Sequence, residues 1–143
     1  MSDITSQSLT SLVKNIKEKK LSSEEVTKAF VDRSERSKEL NSYITEDFSN
    51  AIDKSKKFDE KPNLDLKLPG IPMAVKDLFC TKDIRTTAGS KILENFIPTY
   101  ESTVTQNIWD EGAILIGKLN CDEFAMGSSN ETSFYGNVQN PID

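Results

Sequence analysis

The sequence predicts an α/β fold, and three observations along its second half indicate this class. Two short apolar runs, "IPMAV" at 71–75 and "AILIG" at 113–117, have the length and composition of buried strands. The stretch between them includes "STVTQNIWDEG" at 102–112, which has a helical pattern. A strand, a crossover helix and a second strand form the parallel βαβ unit, whose crossover is right-handed almost without exception.

Helices are predicted for the part of the chain that precedes the first strand. The first helix carries an apolar stripe at i, i+3, i+4 and i+7, formed by Leu9, Leu12, Val13 and Ile16. A second helix runs from about Ser23 to Leu40 and begins at a capping box in which Ser22 precedes Glu25 by three residues. After a brief strand or turn around "NSYITED", a third, rather polar helix is supported by Phe48, Ala51, Ile52 and Phe58.

A charged connection joins this helical part to the strands. Residues 59–69, "DEKPNLDLKLP", carry two prolines and are predicted to lie on the surface. We therefore divide the chain into an N-terminal helical segment, residues 1–60, and the start of an α/β domain, residues 61–143.

The end of the chain is predicted to be loop. Ser102 can cap the crossover helix, and Gly112 is its stop signal. After the second strand, Asn120 precedes Glu123 by three residues, which predicts an N-cap and a short helix. The tail "GSSNETSFYGNVQNPID" has the residues of turns. Because two parallel strands cannot form a covered sheet by themselves, we expect the domain to continue beyond residue 143.

Composition narrows the range of functions. The net charge of -5 argues against a nucleic-acid surface formed by this chain alone, since phosphate binding needs clustered lysine and arginine. The sequence has no apolar run long enough to cross a membrane and begins without a signal-peptide core, so a cytosolic or equivalent organellar location is expected. Cys80 and Cys121 are then expected to be free thiols.

The absence of histidine excludes several catalytic sites within these residues. A Ser-His-Asp relay, a Cys-His relay and a histidine-ligated zinc site cannot be built from this composition. Acid–base chemistry would need a lysine, carboxylate, tyrosine or thiol.

Lysines follow both predicted strands. Strand alternation places Lys76 on the same side as Pro72 and Ala74, where there is space, and ligands bind beyond the carboxyl ends of strands in open parallel sheets. Desolvation could make such a lysine a proton acceptor for a serine, although a lysine at a strand end is more often a surface residue. Lys118 follows the second strand in the same way, and spacing alone does not separate the two.

Two further groups are candidates for a site. The loop "MGSSNETS" offers hydroxyl groups, and Gly127 lets backbone N–H groups converge on an anion or carbonyl, although a polar surface loop is the simpler interpretation. Asp77, Asp122 and Glu123 have the chemistry of metal ligands. Scattered carboxylates usually cap helices or pair with lysines, so no metal site is predicted.

Several longer segments resemble the amidase signature family. They are "LPGIPMAVKDLF", "TTAGSKILENFIPTYESTVTQNIWDEGAILIGKLNCDEFAMGSSNETS" and "GNVQNPID". Within the family the chain is most similar to the A subunits of the glutamyl-tRNA(Gln) and aspartyl-tRNA(Asn) amidotransferases, and "KLNCDEFAMGSSNETS" is the most specific part of the match. The resemblance is weak through the helical segment and strong from Leu68 onward.

The resemblance implies a fold and a catalytic relay. The fold would be the N-terminal portion of an α/β/α sandwich with a mixed sheet. Family members use a serine nucleophile, a second serine on a cis peptide bond, and a lysine in the "GIP…VKD" strand that matches Lys76 rather than Lys118. Both serines belong to a signature that normally follows an "NP" pair such as Asn140-Pro141, so neither is expected within these residues. Met126, Gly127, Ser128 and Ser129 would border the substrate pocket.

The resemblance also implies partners. Ammonia from glutamine, or asparagine, would travel to a B subunit that uses ATP and magnesium to activate misacylated tRNA, and a small C subunit would clasp the A subunit. No cofactor is expected on this chain and no membrane is expected as a partner. Two alternatives remain: the start of a stand-alone amidase for small or aryl amides, and a non-catalytic module that docks a partner through its helices.

Overall fold

The computed structural model describes residues 3–142 and confirms the α/β class. The helices and strands occur in the order α1 (Leu9–Lys17), α2 (Ser23–Arg36), β1 (Tyr43–Glu46), α3 (Phe48–Glu60), β2 (Pro72–Lys76), α4 (Thr103–Asp110) and β3 (Ile114–Leu119). Short 3-10 turns lie at Ile4–Ser6, Lys38–Leu40, Lys91–Leu93 and Glu123–Ala125. The predicted strand–helix–strand unit is therefore β2, α4 and β3.

The three strands form a mixed sheet in the order β1-β3-β2. β1 is antiparallel to β3, with Tyr43 opposite Leu119, and a bulge interrupts the register between Tyr43 and Thr45. β2 and β3 run parallel, because the N–H of Ile114 donates to the carbonyl of Ile71 at their start and the N–H of Asp77 donates to the carbonyl of Leu119 at their end. β3 is thus the central strand of this sheet.

Two compact units divide the described residues. One contains the residues up to Arg36, Asp47–Met73 and Asn107–Ile116, and the other contains Ser37–Glu46, Ala74–Gln106 and the residues from Gly117 onward. The predicted boundary at residue 60 was drawn on sequence pattern and stays a prediction.

The first unit has its core between α1, α2 and the residue that precedes β2. Its buried members are Leu12, Ile16, Val26 and Ile71. The predicted stripe of α1 is confirmed at Leu12 and Ile16, whereas Leu9 remains half exposed at the start of the helix.

The start of α2 is held by two sets of side-chain caps. In the predicted capping box, the Ser22 hydroxyl accepts from the N–H of Glu25 at 3.0 Å, and the Glu25 carboxylate accepts from the N–H of Ser22 at 2.8 Å. The carboxylate of Asp59, on α3, accepts from the N–H groups of Ser23 and Glu24 at 2.9 and 2.8 Å. These bonds satisfy N–H groups that a helix end leaves without partners, so they fix α2 against α3.

Two local predictions were wrong in part. The second helix ends at Arg36 rather than Leu40, because the next residue, Ser37, leaves the helical conformation with φ of -122° and ψ of 33°. Asn120 does not cap a helix. Its side-chain oxygen accepts from the Ser133 hydroxyl at 2.7 Å and its side-chain amide donates to the carbonyl of Gly136 at 2.9 Å, so contacts distant in sequence replaced the local cap.

The predicted start and stop signals of the crossover helix are confirmed. The Ser102 hydroxyl accepts from the N–H of Thr105 and caps α4, and Gly112 follows the helix with φ of +92°. Between residues 3 and 142, no helix has the length and apolar character needed to span a bilayer.

Candidate active site

Lys76 is the last residue of β2 and its side chain is exposed. Its carbonyl accepts from the N–H of Phe79 at 3.1 Å, which closes a turn directly after the strand. The structure thus places the predicted base at the carboxyl end of a parallel strand, where ligands bind in open sheets.

A buried ion pair lies immediately beyond this residue. The Lys118 ammonium is 3.2 Å from Asp77 Oδ1, and both side chains are 0% exposed. The ammonium also donates to the carbonyl of Phe79 at 2.9 Å and to the hydroxyl of Thr86 at 2.7 Å. Burial lowers the pKa of Lys118, and the negative charge of Asp77 opposes that change.

The two candidate lysines therefore have different environments. Lys118 lies on the central strand, whose residues from Ile114 to Lys118 are all buried, whereas Lys76 ends a strand that is only partly covered. Desolvation could make a lysine at a strand end a proton acceptor. In this structure the desolvated lysine is Lys118.

Asp77 also binds the loop 86–89. Its Oδ2 atom accepts from the N–H of Thr87 at 2.9 Å and from the Thr87 hydroxyl at 2.6 Å. Its backbone carbonyl accepts from the N–H of Ala88 at 3.0 Å. The turn after β2 and this loop are therefore held together by one carboxylate and one ammonium group.

The loop 86–89 in turn contacts the residues that flank the serine-containing loop, which comprises residues 126–133. The N–H of Phe124 donates to the carbonyl of Ala88 at 2.7 Å, and the N–H of Phe134 donates to the carbonyl of Gly89 at 2.8 Å. Gly89 has φ of +68°, and a Cβ atom there would lie 2.5 Å from the carbonyl oxygen of Cys121, so a side chain would not fit.

Asp122 organises the serine-containing loop from inside. Its carboxylate accepts from the N–H groups of Asn130 and Thr132 at 2.9 and 3.1 Å and from the Thr132 hydroxyl at 2.9 Å. These bonds, led by the Asn130 N–H, hold the pKa of the Asp122 carboxyl below its usual value. The anion toward which N–H groups of this loop converge is thus a carboxylate of the chain itself.

The predicted pocket residues lie on the outside of this loop. Met126 is 84% exposed, and Gly127, Ser128 and Ser129 are exposed as well. A Cβ atom on Gly127 would lie 2.5 Å from the carboxyl carbon of Asp122, so the loop passes too close to Asp122 for a side chain at this position. The Ser129 hydroxyl donates to Glu131 at 2.7 Å. Their role at a substrate stays a prediction.

The carboxylates considered as metal ligands have protein partners. Asp77 pairs with Lys118, Asp122 accepts loop N–H groups, and Glu123 accepts from the Ser90 hydroxyl at 2.5 Å. Within residues 3–142 there is no group of three or more potential ligands placed to hold a metal ion. Pairing with lysine was the simpler interpretation of the sequence, and for Asp77 the structure confirms it.

Both cysteines are free thiols in the structure, as expected. Cys121 is buried, and burial raises the pKa of its thiol. The Cys80 thiol donates to the Tyr100 hydroxyl at 3.4 Å.

The sequence did not predict which lysine would pair with Asp77; the structure shows that it is Lys118. A signal was present, because the two residues end parallel strands that the βαβ pattern already predicted to be neighbours. Parallel neighbours bring their carboxyl ends to one edge of the sheet, so a carboxylate and an ammonium there can meet.

Comparison with known proteins shows the family to which this chain belongs. A family model described as Amidase matches residues 25–143. The chain belongs to the amidase family. Solved amidase-family structures share its fold, and the expectation of a partial α/β domain with a mixed sheet is confirmed.

Relatives within the family are similar over the whole chain. The chain is 80% identical over all its residues to a protein from Pelagibacter ubique named as the A subunit of glutamyl-tRNA(Gln) amidotransferase, covering 30% of that protein. It is 50% identical to the protein of the same name from Hyphomonas neptunium, over 99% of the chain and 29% of the relative. The chain thus spans less than a third of the length of these amidase relatives.

A solved structure shows the same similarity. The crystal structure of the glutamyl-tRNA(Gln) amidotransferase A subunit from Thermotoga maritima matches with a TM-score of 0.74 and 28% identity, over 100% of this chain and 29% of that one. The sequence resemblance to the amidase family is therefore confirmed.

Proposed function

We propose that this chain is the N-terminal part of the A subunit of a glutamyl-tRNA(Gln) amidotransferase, which hydrolyses glutamine to glutamate and ammonia. The observation that carries the proposal is the 80% identity to a protein of that name along all 143 residues. Similarity of this extent, through both the lysine strand and the serine-containing loop, favours the amidotransferase over a stand-alone amidase.

Lys76 is proposed as the base of the reaction. In the relay that the resemblance implies, a nucleophilic serine attacks the amide carbon of glutamine and its proton passes through a second serine to the lysine. Both serines would lie in the part of the enzyme beyond these residues. The geometry supports Lys76 over Lys118, because the Lys118 ammonium already binds Asp77, Phe79 and Thr86, whereas Lys76 is exposed at a strand end.

The loop at Met126, Gly127, Ser128 and Ser129 is proposed to border the bound glutamine. Its exposed outer side supports this role, since Asp122 holds the loop from within and leaves the outer groups available. Preorganised loops of this kind place polar groups without a large entropic cost on binding.

The remaining steps are proposed for partner subunits. A B subunit would use ATP and Mg²⁺ to activate the glutamate of misacylated Glu-tRNA(Gln), and ammonia from the glutaminase site would displace the activating group to form Gln-tRNA(Gln). A small C subunit would bind the glutamine-hydrolysing subunit. The complex would work in the cytoplasm or an organellar matrix, where aminoacyl-tRNA is used.

The experiment uses the complete enzyme that contains this chain, purified with its partners. Ammonia release from glutamine, hydrolysis of a small aryl amide, and conversion of Glu-tRNA(Gln) are measured for the wild type, Lys76→Met and the control Lys67→Met. Lys67 is an exposed lysine paired with Glu111 at 2.6 Å in the first unit, so the control removes a lysine charge from a residue outside the proposed site.

The expected result is glutamine hydrolysis coupled to tRNA conversion, lost in Lys76→Met and kept in Lys67→Met. Loss of a general base costs roughly 10²- to 10⁴-fold in rate. Cleavage of the aryl amide without any use of glutamine would instead identify a stand-alone amidase and overturn the proposal.

A further inference from the structure

Burial of the ion pair between Asp77 and Lys118 costs desolvation free energy, because both charges are removed from water. Both side chains are 0% exposed, and a buried ion pair gains little over well-packed apolar residues of the same volume. Packing alone therefore does not explain the pair. What apolar residues could not supply are its bonds to the backbone.

Those bonds join the turn that carries Lys76 to the loop 86–89. On one side, the carbonyl of Lys76 accepts from the N–H of Phe79, and the carbonyl of Phe79 accepts from the Lys118 ammonium. On the other side, Asp77 Oδ2 accepts twice from Thr87. The turn and the loop thus share two buried charged groups that also contact each other.

The same loop continues the connection toward the serine-containing loop. Its carbonyls at Ala88 and Gly89 accept from the N–H groups of Phe124 and Phe134. The bonds of the pair consequently connect the turn that carries the proposed base to residues that flank the proposed substrate loop, and all these residues belong to one compact unit.

We propose that Asp77 and Lys118 are positioning residues for amide hydrolysis: together they fix the backbone that carries Lys76 relative to the loop 86–89. Neither residue exchanges a proton with the substrate. This inference rests on the proposed function, because that function identifies glutamine as the amide; the ion pair itself is observed independently of it. A small misplacement of a reacting group is enough to lower a turnover rate by about 10²-fold.

The test separates positioning from stability with a double variant. In the complete enzyme, Asp77→Asn, Lys118→Met and the double variant are compared with Glu111→Gln, which breaks the exposed pair to Lys67. Melting temperature, kcat and KM for glutamine are measured for each. The double variant leaves no unpaired buried charge, so it regains most of the melting temperature that each single variant loses.

If the pair positions Lys76, the double variant keeps a kcat at least about 10-fold below wild type with KM changed less than about 3-fold, although its stability returns. Glu111→Gln behaves as wild type in both constants. Recovery of kcat together with the melting temperature would show a purely structural pair. A higher KM with unchanged kcat would show that the pair shapes binding instead, and either result overturns the proposal.

A milder pair of variants keeps the test decisive if the charge variants do not fold. Thr87→Ser retains the hydroxyl that donates to Asp77, and Thr87→Val removes it with little change in volume. The proposal requires kcat to be kept in the serine variant and to fall several-fold in the valine variant, and equal kcat values would contradict it.

Should the wild-type enzyme not release ammonia from glutamine, the proposed function fails by that measurement alone. The positioning test then runs on whichever amide the wild type cleaves, with the same variants and the same criteria. The two conclusions therefore fail separately.

Discussion

Removal of the Asp77 charge is predicted to loosen one local region by a large factor. In Asp77→Asn the Lys118 ammonium stays buried without an anion beside it, since its remaining bonds go to a carbonyl and a hydroxyl. Breaking a buried ion pair by removing one partner costs about 3–5 kcal/mol. At about 1.36 kcal/mol per factor of ten, the local opening constant rises roughly 150-fold to several thousand-fold.

Amide hydrogen exchange measured by mass spectrometry on the complete protein reports this opening directly. The reporters are the N–H groups of Asp77, Thr87 and Ala88, which donate to the Leu119 carbonyl, the Asp77 carboxylate and the Asp77 carbonyl. Peptides from α1, in the other unit, serve as the internal control and should exchange at the wild-type rate.

The double variant with Lys118→Met sharpens the prediction. Without the ammonium group there is no uncompensated charge, so exchange should be slower than in either single variant. A rise in exchange of less than about tenfold in Asp77→Asn, or free-energy effects of the two substitutions that simply add, would contradict an uncompensated buried charge.

Three further predictions concern local structure in the complete protein. Ser22→Ala removes a cap of α2 and should cost about 1 kcal/mol of local stability by hydrogen exchange, whereas Ser49→Ala, at an exposed serine, should not change it. Gly70→Ala should lower the melting temperature of the protein more than Gly136→Ala does. Both glycines have positive φ, but a Cβ atom at Gly70 would lie 2.5 Å from a buried hydroxyl oxygen, whereas the nearest atom to a Cβ at Gly136 is 3.4 Å away. Equal melting temperatures would contradict this. The folded protein holds the pKa of Asp122 below its unfolded value of about 3.9, so the Asp122 carboxylate stabilises the loop above about pH 4 and this contribution is lost as pH falls through the folded pKa. Amide hydrogen exchange in the loop should therefore depend less on pH in Asp122→Asn than in the wild type between about pH 5 and about pH 3. An unchanged pH dependence would refute the assignment.

Local signals predicted local structure well. The stripe on α1 and the capping box of α2 depend on residues within one or two turns of each other. The capping box was found as predicted, and the stripe is confirmed at Leu12 and Ile16. The βαβ unit followed from two apolar runs and a helical pattern, because parallel strands need a crossover between them.

Predictions failed where distant residues decide. Asn120 has the sequence of an N-cap, but its side chain binds Ser133 and Gly136 instead. The second helix ends at Arg36, where Ser37 departs from helical angles, and the side-chain amide of Asn41 beyond it donates to the carbonyl of Tyr135 at 2.8 Å. Local periodicity contains no information on either contact.

The candidate site was predicted in part. Sequence spacing placed Lys76 and Lys118 in equivalent positions, and their different burial depends on the strand order, which puts β3 in the centre. A lysine on a covered central strand needs a buried counter-charge, which Asp77 provides. The order of the sheet requires β1, whose pairing with β3 was not predicted.

A comparison of glutamine with ammonium as the nitrogen donor separates the role proposed for Lys76 in glutamine hydrolysis from the later conversion of Glu-tRNA(Gln). Glu-tRNA(Gln) conversion by the complete enzyme is measured for wild type and Lys76→Met, with glutamine and then with ammonium chloride as the donor. We expect Lys76→Met to lose conversion with glutamine by at least about 10²-fold and to keep it with ammonium, because free ammonia bypasses the hydrolysis step. Conversion with glutamine at the wild-type rate in Lys76→Met would show that this lysine is not the base.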